Sequence, residues 1–455
     1  METSGVSPIL EPLVGLTERA ASDAQALQAT SSPAGVRIAT VDEAGYTQCG
    51  CAPSRFRGLL LVALAASILC PGSGALPTRP AAAQTEPARL IVHQMVGSRI
   101  YPQDVRDNIR WIERERPFLD GVVLNLNEAS SSVMRNAPLS YRAVAAELAP
   151  VRDLGSSTLQ YNLAVVFNDK CADPFDDWSV CIGNWVNFAR AVKDAGLAGI
   201  AFDNEEYFTR WTNYPDDCDY PERSLQEYHD QVRLRGRQVM AAVTAVFPDI
   251  DIITFQGPYV SEPGSPSQFA AFETVNRADR NELKGAFFAG FLEGTGSRAL
   301  VIDGGGAYGL RYPEEFALFY EWRRYGIASD AADSAFIPPH LRPLWRARVS
   351  LASGLYNMPW RQRDMDAAIM GEAALNALSQ ADSYVWLYFE QVDLVTPGGI
   401  DDDWVDALRT AKETYRLRVH SSLPDQPAPA PPRGQPGREH PPSLSMARRV
   451  QSNRV

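Results

Sequence analysis

From Arg89 onward the chain alternates two kinds of text. Short apolar runs rich in β-branched and aromatic residues are followed by longer stretches whose apolar positions recur at helical spacing. The apolar runs predict strands at Leu90–Met95, Gly121–Leu126, Gln160–Phe167, Gly199–Asp203, Ile250–Gln256, Gly285–Phe291, Val349–Tyr356 and Tyr384–Phe389. The stretches between and after them predict helices near 103–116, 141–151, 183–195, 222–247, 267–278, 313–325, 362–380 and 402–417. Near-continuous apolar strands belong to a parallel sheet covered on both faces. Eight strand–helix units in succession predict an α/β chain folded as a single (β/α)₈ TIM barrel, over residues 86–420.

The chemistry of such a fold sits where the strands end. The fourth predicted strand ends most abruptly, as Gly199-Ile-Ala-Phe-Asp203-Asn204-Glu205-Glu206-Tyr207. Clustering carboxylates at a partly buried strand end costs free energy through desolvation and like-charge repulsion, so the cluster implies a use. Strand alternation places Ala201, Asp203 and Glu205 on one face, with Phe202, Asn204 and Glu206 on the other. The remaining strand ends add His93 with Gln94, Asn125 with Asn127 and Glu128, Asn168 with Asp169, Gln256, Glu293 with Asp303, Tyr356 with Asn357, and Glu390 after Trp386 and Tyr388. Carboxylates, amides and aromatics with few cations suit a neutral polyhydroxylated ligand. Two carboxylates facing each other across a cleft are what glycosidic bond cleavage requires. Glu205, Asp203 and Glu390 are the candidate catalytic groups. His93, Asn125, Asn127, Asn204, Glu206, Tyr207, Gln256, Tyr356, Asn357, Trp386 and Tyr388 are the candidate substrate contacts, with Trp211 as a further sugar-stacking ring.

At these residues the sequence resembles the glycoside hydrolase (β/α)₈ superfamily. Gly196-x-x-Gly199-Ile-Ala-Phe-Asp203-Asn-Glu205 is similar to the fourth-strand motif of family 18 chitinases and chitinase-like proteins. The resemblance implies Glu205 as proton donor and Asp203 as its partner, with Ala201 standing where that motif carries an earlier acid. The same residues resemble the Asn-Glu ending of strand four in the large retaining glycosidase clan, matching Asn204 and Glu205. That clan places its nucleophile on strand seven, where this chain has Tyr356-Asn357, so Glu390 would have to take the role.

Composition and the chain ends narrow the picture further. A net charge of -12 argues against sequence-independent nucleic-acid binding. No Gly-x-Gly-x-x-Gly follows the first strand and no Walker lysine loop occurs, and Gly304-Gly305-Gly306 after Leu300–Asp303 is not read as a phosphate cradle, so no nucleotide or other cofactor is expected. Residues 1–54 read as a poorly ordered extension. Residues 55–84 carry a basic flank, an apolar run from Gly58 to Cys70 and Ala81-Ala82-Ala83, the pattern of a signal peptide. Its position implies a start codon downstream of Met1 and a chain that is secreted or held in the periplasm or cell envelope, touching a membrane only where that segment stays uncleaved. Residues 421–455 form a Pro-rich tail. Export permits a disulfide between Cys171 and Cys181, with Cys218 left over or the true partner of one of them. The expected partner is a polysaccharide or oligosaccharide substrate. Two further readings compete with hydrolysis: a carbohydrate-binding barrel without catalysis, and a metal-dependent hydrolase using His93, Asp203 and Glu205. Scarce histidine and the lack of a CxxC pair leave no zinc site among the expectations.

Overall fold

Alternation of side chains along parallel strands creates two apolar layers, one inside the sheet and one beneath the helices. The computed structural model describes residues 87–206, 211–258, 283–327, 337–360 and 363–422. The N-terminal extension, the leader-like run, Tyr207, the stretch 267–278 and the Pro-rich tail from residue 423 lie outside them. Among the described residues the strands are β1 (Arg89–Gln94), β2 (Gly121–Leu124), β3 (Leu163–Asn168), β4 (Gly199–Glu206), β5 (Asp251–Thr254), β6 (Leu300–Asp303), β7 (Ser350–Leu351), β8 (Ser353–Tyr356) and β9 (Tyr384–Phe389). All pair in parallel, in the order β7-β6-β5-β4-β3-β2-β1-β9-β8.

The two ends of that order are one stave. Only Ala352 separates β7 from β8, and its N–H donates to the Asp303 carbonyl at 2.8 Å. The Gly354 N–H then reaches the Gly305 carbonyl at 2.7 Å, continuing the ladder along the end of β6. On its other side β8 pairs with β9, so the sheet closes into an eight-stave (β/α)₈ barrel. The sequence expected a single strand here, Val349–Tyr356, and the pairing switch at Ala352 is what divides it.

The covering helices are α1 (Pro102–Glu115), α2 (Tyr141–Leu148), α3 (Ser179–Asp194), α4 (Leu225–Val246), α5 (Leu283–Gly294), α6 (Pro313–Glu321), α7 (Arg342–Arg348), α8 (Ala367–Gln380) and α9 (Asp402–Ser422). α4 follows the acid-bearing strand and starts on a reciprocal cap. The Ser224 N–H donates to Glu227 Oε2 at 2.8 Å, and the Glu227 N–H donates to Ser224 Oγ at 3.3 Å.

One expected strand is a helix. Gly285–Phe291 lies in α5, and the sixth stave is the short run Leu300-Val-Ile-Asp303. Every residue from Leu283 to Leu292 is buried, Lys284 included, so α5 is buried all round and carries no amphipathic stripe to announce it. It is also pressed against α4 backbone to backbone. A Cβ on Gly290 would stand 2.2 Å from the Arg233 carbonyl oxygen, a position only glycine leaves open.

Inside the barrel, Ile91, Val123, Val165, Ala201, Ile253, Ile302, Ala352 and Trp386 form a closed apolar core. Below it Arg89 stacks 3.9 Å over the Tyr161 ring and pairs with Asp251 at 3.7 Å, with the Tyr384 hydroxyl also donating to Asp251. The N-terminal end is thereby plugged, and access to the interior is left to the end where β4 and β9 terminate.

Candidate functional site

The alternation that places Ala201 in the barrel core brings Asp203 to the layer above it, buried and opposite Phe167 of β3. Beyond this pair the register shifts: Asn168 opposes Glu206, so Asn204 and Glu205 form a bulge. Glu205 is half-buried at the rim, and its N–H donates to Asp203 Oδ1 at 3.2 Å. The bulge re-aims the two residues on either side of Glu205. Asn204 bridges to the end of β5, its Nδ2 donating to the Gly257 carbonyl at 2.9 Å and its Oδ1 accepting the Gln256 N–H at 3.0 Å. Glu206 turns to the following loop, where Oε1 accepts the Trp211 and Thr212 N–H groups at 2.8 and 3.1 Å and Oε2 accepts the Thr212 hydroxyl at 2.8 Å. Both were expected to touch substrate; the structure places their polar atoms on neighbouring groups of the rim.

Glu390 follows β9. Its Oε1 accepts the Tyr388 hydroxyl at 2.7 Å, and the Tyr356 hydroxyl also bonds to its carboxylate. Asn357 locks its backbone from β8, with Nδ2 donating to the Glu390 carbonyl and Oδ1 accepting the Glu390 N–H, each at 3.0 Å. Asn357, expected as a ligand contact, thus clamps the Glu390 backbone. Gln391 next turns the chain at a left-handed φ of 60°, an uncommon conformation for this residue type, secured by its N–H on the Val96 carbonyl at 2.8 Å.

Tyr388 connects the acids of β4 with those of β9. Burial raises its phenol far above the ordinary range, reinforced by the hydrogen bond to Glu390 and by the charges of Glu390 and Asp203. Tyr356 is pushed up to about 12, by burial first and by Glu390 second. The Tyr388 ring stacks on Tyr356 at 5.2 Å and on His93 at 5.7 Å. His93 also lies 4.9 Å from the Phe255 ring. Burial, with a smaller contribution from the Arg99 guanidinium, pushes His93 down to about 3, so it is an uncharged imidazole at neutral pH. Asn125 is buried beside it, its Nδ2 donating to the Gln94 carbonyl at 3.2 Å.

Other expected residues sit elsewhere. Trp386 is a core residue, stacked 4.2 Å from Phe255 with its indole N–H on the Gly304 carbonyl. Trp211 is buried between Trp178 and Phe287 and donates to Asn168 Oδ1 at 2.9 Å. Asn127 and Glu128 are exposed in the loop after β2. Gln94 is turned to the loop residues Ser98 and Val392, Asp169 pairs with Arg135 at 3.0 Å, and Glu293 bonds His340 on the surface. Asp303 lies between sheet and helices, paired with Arg323. Gln256 is buried at the end of β5, and Tyr207 lies outside the described residues.

Sequence reasoning missed Tyr308 and Trp360. Tyr308 sits 5.2 Å from Tyr356 and 6.2 Å from Tyr388, and Trp360 closes edge-on at 5.7 Å to Tyr308, extending the aromatic wall beside Glu390. Once Leu300–Asp303 is recognised as the sixth stave, Tyr308 becomes a rim position of the kind already sought.

Among the described residues Cys171 and Cys181 are free thiols, and the expected bridge between them is not formed. The two side chains nonetheless touch. The hydrogen bond that the Cys181 thiol donates to Cys171, with burial second, pushes the Cys181 thiol strongly up. Among the described residues no group of three or more His, Cys, Asp and Glu side chains is placed to hold a metal ion.

No protein-family profile matches the chain, and no curated protein matches it. Among solved structures, the chain is similar to the 3-keto-D-glucoside 4-epimerase of E. coli at 12% identity and a TM-score of 0.33, over 71% of this chain and 98% of that one. It is similar to D-psicose 3-epimerase from Clostridium cellulolyticum H10 at 11% identity and 0.33, over 72% and 98%. A third is the β-mannanase of the blue mussel Mytilus edulis, at 11% identity and 0.33, over 72% and 92%. All three are barrel enzymes. At these values no residue role passes from them to this chain.

Proposed function

We propose that this barrel is an exported glycoside hydrolase-like protein that cleaves glycosidic bonds in a polysaccharide or glycan. Glu205 is the general acid, and Glu390 or Asp203 is the second carboxylate. The observation that carries this reading is the position of Tyr388, bonded to Glu390 and under the charge of Asp203, which brings the acids of the fourth and last staves to one mouth. A carboxylate receiving two phenol donors, as Glu390 does, is arranged to accept and not to donate a proton. It suits the nucleophile or stabilising role, and Glu205, half-buried at the rim beside Asp203, is the group assigned to protonate the leaving oxygen. Aromatic faces around the acids offer stacking surfaces for sugar rings.

The test is turnover across a broad panel of neutral and acidic glycans, wild type beside Glu205→Gln. A loss of about 100-fold or more in the variant is expected for removal of a general acid. Turnover that survives the change would remove Glu205 from the role. One observation favours a second reading, a binding barrel without catalysis: Ala201, where the chitinase-like motif carries an acid, is packed into the apolar barrel core. Binding of a glycan with no turnover of any would select it.

Export carries its own check. In an oxidising compartment the touching Cys171 and Cys181 are expected to bridge. The intact mass of the mature chain should then correspond to a start near Gln84, with two hydrogens lost and these thiols closed to alkylation. Full alkylation of both in the unreduced exported protein would defeat the expectation.

A further inference from the structure

Three buried polar atoms at the mouth have no protein partner among the described residues: His93 Nδ1, Asn125 Oδ1 and Gln256 Oε1. Their residues are 2%, 1% and 5% exposed, so each atom has been taken from water without a replacement hydrogen bond, a costly state for a polar group. All three lie at the C-terminal ends of their strands, β1, β2 and β5. Asn125 is tied to the carbonyl of Gln94, the neighbour of His93, and Gln256 follows Phe255, whose ring lies 4.9 Å from that of His93. All three are uncharged groups, in a mouth whose charged members include Asp203 and Glu390.

We infer that His93, Asn125 and Gln256 form a hydroxyl-reading floor that selects a neutral sugar unit over a uronate, sulfated or phosphorylated one. The inference rests on the glycan reading of the mouth and names its substrate class. A hydroxyl both donates and accepts, so it completes an imidazole nitrogen in either tautomer and an amide in either orientation. An ionised acid only accepts, would leave the amide oxygens unsatisfied, and would bring a further negative charge against Asp203 and Glu390. Burial keeps His93 uncharged, so it offers an acidic sugar no cation.

The test is calorimetric titration of the full chain carrying Glu205→Gln, which prevents turnover, with neutral cello-, manno- and chito-oligosaccharides and with oligogalacturonate. The same titrations are run on His93→Phe and Gln256→Met in that background. The floor predicts binding of a neutral oligomer, no comparable binding of oligogalacturonate, and an affinity about tenfold or more weaker in each variant. It also predicts melting temperatures unchanged or raised in the variants, because each removes a buried polar group that had no protein partner. Neutral binding that both variants retain, or oligogalacturonate binding as tight as neutral, overturns the floor and leaves the glycan reading standing. No binding of any oligosaccharide overturns both.

Discussion

Glu390→Gln is expected to lower turnover by about a thousandfold, within the range for removing a positioned catalytic group, while leaving the fold and substrate binding in place. The fold should hold because the contacts that fix residue 390 in the backbone run through Asn357, and glutamine keeps both. What changes is the end of the side chain. A carboxylate that accepts from the Tyr388 and Tyr356 hydroxyls becomes an amide that presents one acceptor and one donor to two donors. On the proposed hydrolase reading, the charge that stabilises or traps a developing oxocarbenium ion goes with it. Tyr388→Phe removes one donor and keeps the carboxylate, so its loss should be nearer tenfold. Steady-state kinetics on the best glycan of the panel decides: Glu390→Gln within tenfold of wild type would move the second carboxylate to Asp203.

Where these residues lie along the strands could largely be read from their order, and the exceptions have physical causes. Asp203 was legible because β4 keeps strict alternation up to that residue, from Ala201 in the core to an acid in the layer above. Alternation then failed at the bulge. Asn204, Glu205 and Glu206 read as two faces of a strand, and only the register shift against Asn168 shows that Asn204 and Glu206 brace neighbouring backbone. Residues that clamp and residues that bind are chemically alike, amides and acids at strand ends, and Asn357 illustrates how the sequence cannot separate them. Aromatic positions suffered in the same way. Trp386 and Tyr388 are two residues apart on one face, yet the first is a wall of the core and the second lines the mouth, a difference of depth along the barrel axis.

The fold itself was clearest where burial is one-sided. α4, polar on one face and capped by Ser224 and Glu227, fell close to its expected bounds. α5 failed because a helix buried on every side has no period, and its aromatic, glycine-spaced composition is also that of a strand. That error displaced the sixth stave by some fifteen residues and hid Tyr308. Gly304-Gly305-Gly306 lies directly after β6. Gly305 has φ 49° and the Arg323 guanidinium lies where its Cβ would be, so the run serves close packing at the end of β6.

That packing leads to the largest stability effect expected here. Asp303→Asn should cost about 3–5 kcal/mol, the range for breaking a buried ion pair from one side. Asp303 and Arg323 are 0% and 1% exposed in their side chains, with Nη1 and Oδ1 3.7 Å apart. The guanidinium lies 4.1 Å over the Phe319 ring, and its Nη1 donates at 2.7 Å to the carbonyl of Ala352, the residue at which the sheet closes. Asp303 in turn accepts the Gly305 N–H at 3.1 Å. An amide at 303 would leave a full positive charge in the layer between sheet and helices at the barrel's seam. At about 2–4 °C per kcal/mol for a domain of a few hundred residues, the melting temperature should fall by roughly ten degrees. Replacing both partners by apolar residues of similar volume, Asp303→Leu with Arg323→Met, should recover much of the loss, since the pair's own attraction is offset by the desolvation of two ions. Urea unfolding of the three variants beside wild type separates the cases. If Asp303→Asn costs under 1 kcal/mol, the pair is not what holds the seam, and closure rests on the Ala352 and Gly354 backbone bonds alone.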